Sequence, residues 1–327
     1  MINELHPFLD SIKNQIGSSI SNIEKIQTLW SGYGGIYRLH LKGSVDSSVI
    51  VKLIDLRESK PHSRGWATNL SHQRKLKSYQ IENYWYENYV VSLPESVKVP
   101  RLLYSEKGAE TQVLVLEDLS IDFPVLKQHC SFTEAKVVVK WLAQFHAHFL
   151  NSTTKGLWPV GSYWHLDTRP DELNAMANSP LKANAKKIDH LLNNATFKTI
   201  IHGDAKVANF CFSESGESVA AVDFQYVGGG VGVKDLIYFL GSCLSEDELE
   251  LYEEALVDAY FEELKSALQN RGAETYRALE KEWRFLYPVA WADFNRFLLG
   301  WMPEHQKLHK QALSKNEVAL QVLNLNS

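Results

Sequence analysis

His202-Gly203-Asp204-Ala205-Lys206-Val207-Ala208-Asn209, followed fourteen residues on by Asp223-Phe224-Gln225, places two carboxylates, an amide and an ammonium at a spacing suited to phosphoryl transfer. That chemistry needs a carboxylate beside the attacking hydroxyl, hard oxygen ligands for magnesium and a cation near the γ-phosphate. On this template Asp204 accepts the hydroxyl proton, Asn209 and Asp223 ligate Mg2+, and Lys206 faces the γ-phosphate of ATP. Thr199-Ile200-Ile201 reads as a short strand, and 209–212 with 218–222 as a hairpin, so the acids stand at strand ends, where a rigid sheet holds side chains open to a ligand. Asp204 or Asn209 alone would pass for a turn residue. Their joint spacing points to chemistry.

The octapeptide with its downstream Asp-Phe-Gln resembles the catalytic core of the aminoglycoside phosphotransferase and choline kinase group, and most of all its ecdysteroid kinase-like branch. The resemblance implies an α+β, bilobal protein-kinase-like fold with an antiparallel-sheet N-lobe and a mainly helical C-lobe. Residues 1–118 would form the nucleotide-binding lobe and 119–327 the catalytic and acceptor-binding lobe. It further implies ATP and Mg2+ as cofactors and a small-molecule hydroxyl as acceptor. The chain departs from protein kinases at Gly203, where they usually carry Arg, and at Gln225, where they carry Gly. Only eleven residues separate Asp223 from Asp235, with no Ala-Pro-Glu motif, which leaves little room for a peptide-docking segment.

A kinase-like fold also calls for an upstream Lys on a strand, a Glu on a helix and a glycine turn. Val49-Ile-Val-Lys52-Leu-Ile54 is an apolar run broken by one cation that needs a partner if buried. Glu82 shares a helical face with Tyr79, Tyr86 and Tyr89 and is the expected partner, with Glu87 as fallback. Ser31-Gly-Tyr-Gly34-Gly35 lies between strand-like stretches, Ile26 to Trp30 and Ile36 to Leu41, and is expected to offer backbone N–H groups to phosphates; a plain hairpin turn would look the same. Gln112 to Leu119 reads as a strand entering an interlobe linker, so the resemblance puts backbone groups from Glu117 to Leu119 against adenine. It also gives His202 a supporting role under the catalytic loop, and Asp235 a hydrogen bond to that loop's backbone, although Asp235 would serve equally as a helix N-cap. Ser131-x-x-Glu134 is a capping-box signature opening a core helix. On it His146 and His148, two apart, cannot share a metal and read as structural.

Net charge −5 and a pI near 6.2 argue against a nucleic-acid or anionic-membrane surface and would suit a cationic acceptor. Three scattered cysteines fit reduced thiols, no run approaches a membrane span and no signal-peptide core opens the chain, so a cytoplasmic protein without an obligate protein partner is expected. Trp158, Tyr163, Trp164, His165, Trp291, Asp293, Arg296 and Trp301 form either an aromatic acceptor wall or, as the preferred reading, ordinary core. The alternative to an enzyme is a nucleotide-binding pseudokinase or regulatory module; its usual mark, loss of Lys52, Asp204, Asn209 or Asp223, is not present.

Overall fold

A computed structural model describes residues 4–29, 32–56 and 69–325; Trp30, which ends the first strand-like stretch, and Ser31 of the glycine-rich stretch lie outside the described residues. Two compact units emerge, Met1–Ser92 with Val99–Asp122, and Leu93–Lys98 with Phe123–Ser327. Asp118 is bonded into the first unit's sheet, where its Oδ2 accepts from Arg38 Nε at 2.6 Å and from Ser48 Oγ at 2.7 Å, and Ser120 follows it by accepting Arg38 Nη2 on Oγ at 3.0 Å.

The first unit runs α1 (Leu9–Ile16), β1 (Ser19–Thr28), β2 (Gly34–Lys42), β3 (Ser48–Asp55), α2 (Asn69–Asn88), β4 (Leu102–Lys107) and β5 (Thr111–Glu117). Its strands make one antiparallel sheet in the order β1-β2-β3-β5-β4. Side chains alternate between the faces of a strand. On β3, Val49, Val51 and Leu53 enter a core with Tyr37, Leu39, Val113 and Val115 that Leu5 and Ile12 complete. Ile54 turns to the opposite face, against Leu29, Tyr33 and Tyr79 of α2. Lys52 shares that second face, and this parity brings it to the helix.

The second unit contains β6 (Val125–Leu126), α3 (Phe132–His148), α4 (Pro170–Ala175), α5 (Pro180–Ala183), α6 (Ala185–Asn193), β7 (Thr199–Ile201), β8 (Phe210–Phe212), β9 (Val219–Ala221), β10 (Gly228–Gly230), α7 (Val233–Cys243), α8 (Glu246–Ala267), α9 (Ala273–Trp301) and α10 (Lys310–Leu325). Two small sheets, β10-β7 and β6-β8-β9, carry the loop that follows β7. The capping box closes at α3: Ser131 N–H donates to Glu134 Oε2 at 2.9 Å and Glu134 N–H to Ser131 Oγ at 3.4 Å. Val138, Trp141, Leu142 and Phe145 of that helix are buried. Cys130, Cys211 and Cys243 are buried free thiols. Among the described residues no helix is long and apolar enough to cross a membrane.

Candidate active site

Beyond β7 the chain turns sharply at Gly203, whose φ of +78° suits glycine and whose missing Cβ would lie 2.1 Å from Tyr226 O. The turn is fastened from below by Asp235. One of its oxygens accepts from His202 N–H at 2.6 Å and the other from Gly203 N–H at 2.9 Å. Asp235 is the third residue of α7, whose N-cap is Gly232, so its role is the loop and not the cap. His146 completes the support: Nε2 meets Asp235 Oδ2 at 3.1 Å and Nδ1 meets the Tyr260 hydroxyl at 2.8 Å, all fully buried. A carboxylate only accepts, so Nε2 carries the proton and Nδ1 accepts from tyrosine. His146 is thus structural; His148 is half-buried, and burial lowers its pKa. His202 packs in a tilted arrangement against Phe224 with ring centroids 4.5 Å apart, donates from Nε2 to Val222 O at 3.0 Å and accepts Asp204 N–H on Nδ1 at 3.2 Å.

Asp204 is therefore held by backbone and side chain alike. Its Oδ2 receives Lys206 Nζ at 3.2 Å and Asn209 Nδ2 at 3.1 Å. Burial pushes its carboxyl pKa up and nearby Asp223 adds to this, against the pull of Lys206 and His202. For Lys206, burial pulls the ammonium down, but Asp204 and Asp223 together raise it. Ser242 Oγ anchors the loop further along by accepting Val207 N–H at 2.8 Å.

Asn209 also donates Nδ2 to Asp204 O at 2.8 Å, which turns its Oδ1 away from the Asp204 carboxylate. Asp223 has φ +68°, one of three non-glycine residues with positive φ among those described. That conformation costs about 1–2 kcal/mol and persists only where the surroundings fix it, as at functional sites. A carboxylate and an amide oxygen are the hard donors that Mg2+ accepts, with phosphate oxygens and water filling its remaining positions. The donor set fits magnesium.

In the first unit, Lys52 Nζ lies 2.6 Å from Glu82 Oε2, both buried. Glu87 is exposed and bonds Lys107 and Ser105 instead. Gly34 and Gly35 are not loop residues; β2 begins at Gly34, which pairs with Ile54 while Gly35 pairs with Leu53. At the end of β5, Glu117 N–H donates to Arg101 O at 3.0 Å, and Leu119 is buried.

Large aromatics of the second unit are mostly core. Trp158 donates to Gln225 O, Trp164 to Asp293 and Trp291 to Glu253, all buried, and Asp293 pairs with both Lys234 and Arg296. His165 is also buried, and its pKa falls to about 4 through burial and Lys234. Trp301 stacks on Phe297. Tyr163 differs, because Asp204 is close enough to raise its pKa further above the level that burial sets. Tyr238 and Lys307, unremarked in the sequence, also sense Asp204.

A model of the ecdysteroid kinase-like family matches residues 162–272, the stretch that holds this loop, Asp223 and Asp235. The architecture, one antiparallel five-stranded sheet and a mainly helical second unit, is α+β. Similar solved structures include an aminoglycoside phosphotransferase from Streptomyces rimosus in complex with ADP and streptomycin, 14% identical, covering 88% of this chain and 99% of that one with a TM-score of 0.48. Another is a Plasmodium vivax ethanolamine kinase, 11% identical, with 95% and 85% covered and a TM-score of 0.48. A third is an amicoumacin kinase in complex with AMP-PNP and Ca2+, 11% identical, with 100% and 97% covered and a TM-score of 0.49. No curated protein sequence matches the chain.

Proposed function

We propose that this protein is a small-molecule kinase that transfers the γ-phosphoryl group of ATP to a hydroxyl of its acceptor. The observation that carries this reading is the Asp204 carboxylate, buried and fixed by Lys206 and Asn209 on a loop that Asp235 fastens, with Asp223 nearby. Asp204 orients the acceptor hydroxyl and takes its proton as the new P–O bond forms. The bond from the γ-phosphorus to the bridging oxygen breaks, and its electron pair leaves with ADP. Lys206 offsets negative charge on the transferring group. Asp223 and Asn209 hold Mg2+, which supplies charge neutralisation at the phosphate oxygens.

The first unit serves the nucleotide. Lys52, oriented by Glu82, binds the α- and β-phosphates, and the backbone at Gly34-Gly35 approaches the phosphates. Leu119 rather than Glu117 supplies the N–H for adenine, because Glu117 N–H is engaged by Arg101.

Mass spectrometry of a metabolite extract incubated with Mg·ATP tests the reading. Wild type should produce species that gain one phosphoryl group. Asp204→Asn should lower their formation by roughly two to four orders of magnitude while Mg·ATP binding stays nearly intact. Equal turnover by the variant would remove Asp204 from the reaction.

A further inference from the structure

Lys307 lies in the 302–309 connection between α9 and α10, a stretch held firmly on both sides. Met302 N–H bonds Leu298 O, Lys307 N–H bonds His305 Nδ1, and Leu308 N–H bonds His305 O. Beyond it, Gln311 N–H reaches Glu246 Oε1 at 3.1 Å, Asn295 Nδ2 reaches Ala312 O at 2.8 Å, and Lys315 reaches buried Glu253 at 2.6 Å. The ammonium so positioned stands 4.5 Å from the Tyr238 ring centroid and 5.9 Å from that of Phe294. It forms no ion pair among the described residues. Burial brings its pKa down to about 8, with Lys206 acting the same way and Asp204 and Cys243 opposing. A partly buried cation without an ion pair is poorly compensated by ring faces and a more distant charge.

Protonated phenols stand around it. Tyr163 and Tyr238 keep their protons, since burial and Asp204 hold both phenols above their ordinary range. Lys206 adds a second ammonium. The carboxylate that acts on Lys307 is Asp204, whose Oδ2 already receives Lys206 and Asn209. A cationic acceptor would meet Lys307 and Lys206 as like charges, although the chain's net charge alone favours such a ligand.

We propose that Lys307 binds an anionic group of the acceptor, so that the molecule phosphorylated is a hydroxylated acid rather than an amine or a neutral alcohol. This rests on the phosphotransferase reading. The anion supplies an ion-pair partner for Lys307, and the reacting hydroxyl reaches Asp204.

A metabolite extract separated by ion exchange at pH 7 into anionic, neutral and cationic pools provides the test. Each pool is incubated with Mg·ATP and wild type, Lys307→Met or Lys307→Arg, and phosphorylated products are identified by mass. Wild type should phosphorylate a member of the anionic pool, and the mass of the product states whether the anion is a carboxylate, sulfate or phosphate. Lys307→Met should lower kcat/KM for that acceptor roughly 10- to 100-fold, chiefly through KM, the scale of a hydrogen bond to a charged group; Lys307→Arg should recover most of it. Methyl esterification of the acceptor's anionic group should cost wild type a similar factor and the Met variant little. Lys307→Met should also melt at a higher temperature, because it removes an uncompensated charge, so misfolding cannot explain the loss. Acceptors found only in the neutral or cationic pool, or acid-over-ester discrimination unchanged by Lys307→Met, would overturn the proposal and leave the kinase reading standing. Transfer to no pool by wild type would reject both.

Discussion

Asp235 directs its two carboxylate oxygens to two consecutive backbone N–H groups, and the histidine behind it is itself held by a tyrosine. Removing such a group leaves buried donors unsatisfied and His146 without an acceptor. Asp235→Ala should therefore lower the unfolding free energy in urea by about 3–5 kcal/mol, and turnover should fall with kcat affected more than KM, because the Asp204 loop is displaced. A loss below about 1 kcal/mol, the range of an ordinary surface change, would contradict this account. Residues joined by a local spacing were readable from sequence: Asp204, Asn209 and Asp223 fall into place because the distances that matter are set within one loop and one hairpin. Asp235 was ambiguous, since an acid early in a helix serves a cap and a loop equally well. Lys307 could not be seen. It is one cation in a polar stretch, and its meaning arises only where Tyr238, sixty-nine residues earlier, meets it.

Strand β3 shows how an element turns sequence parity into function. Three residues on one face fill a core, and the alternate position Lys52 is delivered to Glu82 on α2. That much follows from an apolar run with a single charge, and the partner from helical spacing. Gly34 was expected in a phosphate-facing loop, yet β2 starts there with φ +116°, and a Cβ would lie 2.1 Å from Leu53 O. Whatever its backbone offers a nucleotide, the glycine is needed for close approach of β2 to β3. Gly34→Ala should cost about 3 kcal/mol, combining positive-φ strain with backbone overlap. Gly35→Ala should cost less, since its Cβ would meet only the Lys25 and Tyr37 side chains at 3.1 Å. Hydrogen exchange in the β2–β3 ladder should rise for the first variant and much less for the second. Equal effects would show that strand approach is not what requires Gly34.

Over the molecule as a whole, the aromatic residues first read as a wall or a core are organised in the second unit by one buried charge. Asp293 on α9 accepts Trp164 Nε1 at 3.0 Å, Lys234 of α7 at 3.2 Å and Arg296 at 2.8 Å, and so ties together segments more than fifty residues apart in sequence. Burial alone would raise its pKa; Lys234 and Arg296 outweigh this and bring it to about 2. A carboxylate depressed in the folded state stabilises above its unfolded pKa near 3.8, and that contribution disappears as pH falls toward 2. Glu134 and Glu248, the reciprocal carboxylates of the α3 and α8 capping boxes, are also held near 2 by Lys127 and His129 respectively, so they titrate in the same window. The unfolding free energy should thus fall steeply between pH 4 and 2, with about 2 kcal/mol of the loss belonging to Asp293. Asp293→Asn should destabilise at pH 7 by about 3–5 kcal/mol, because Lys234 and Arg296 remain buried without their counter-charge. In the same variant the slope between pH 4 and 2 should become shallower while a residue from the two glutamates persists. Urea titrations at pH 7, 4 and 2 separate these contributions. An unchanged acid slope in Asp293→Asn would mean that the cluster gains nothing from ionisation and that aromatic packing alone holds α7 to α9.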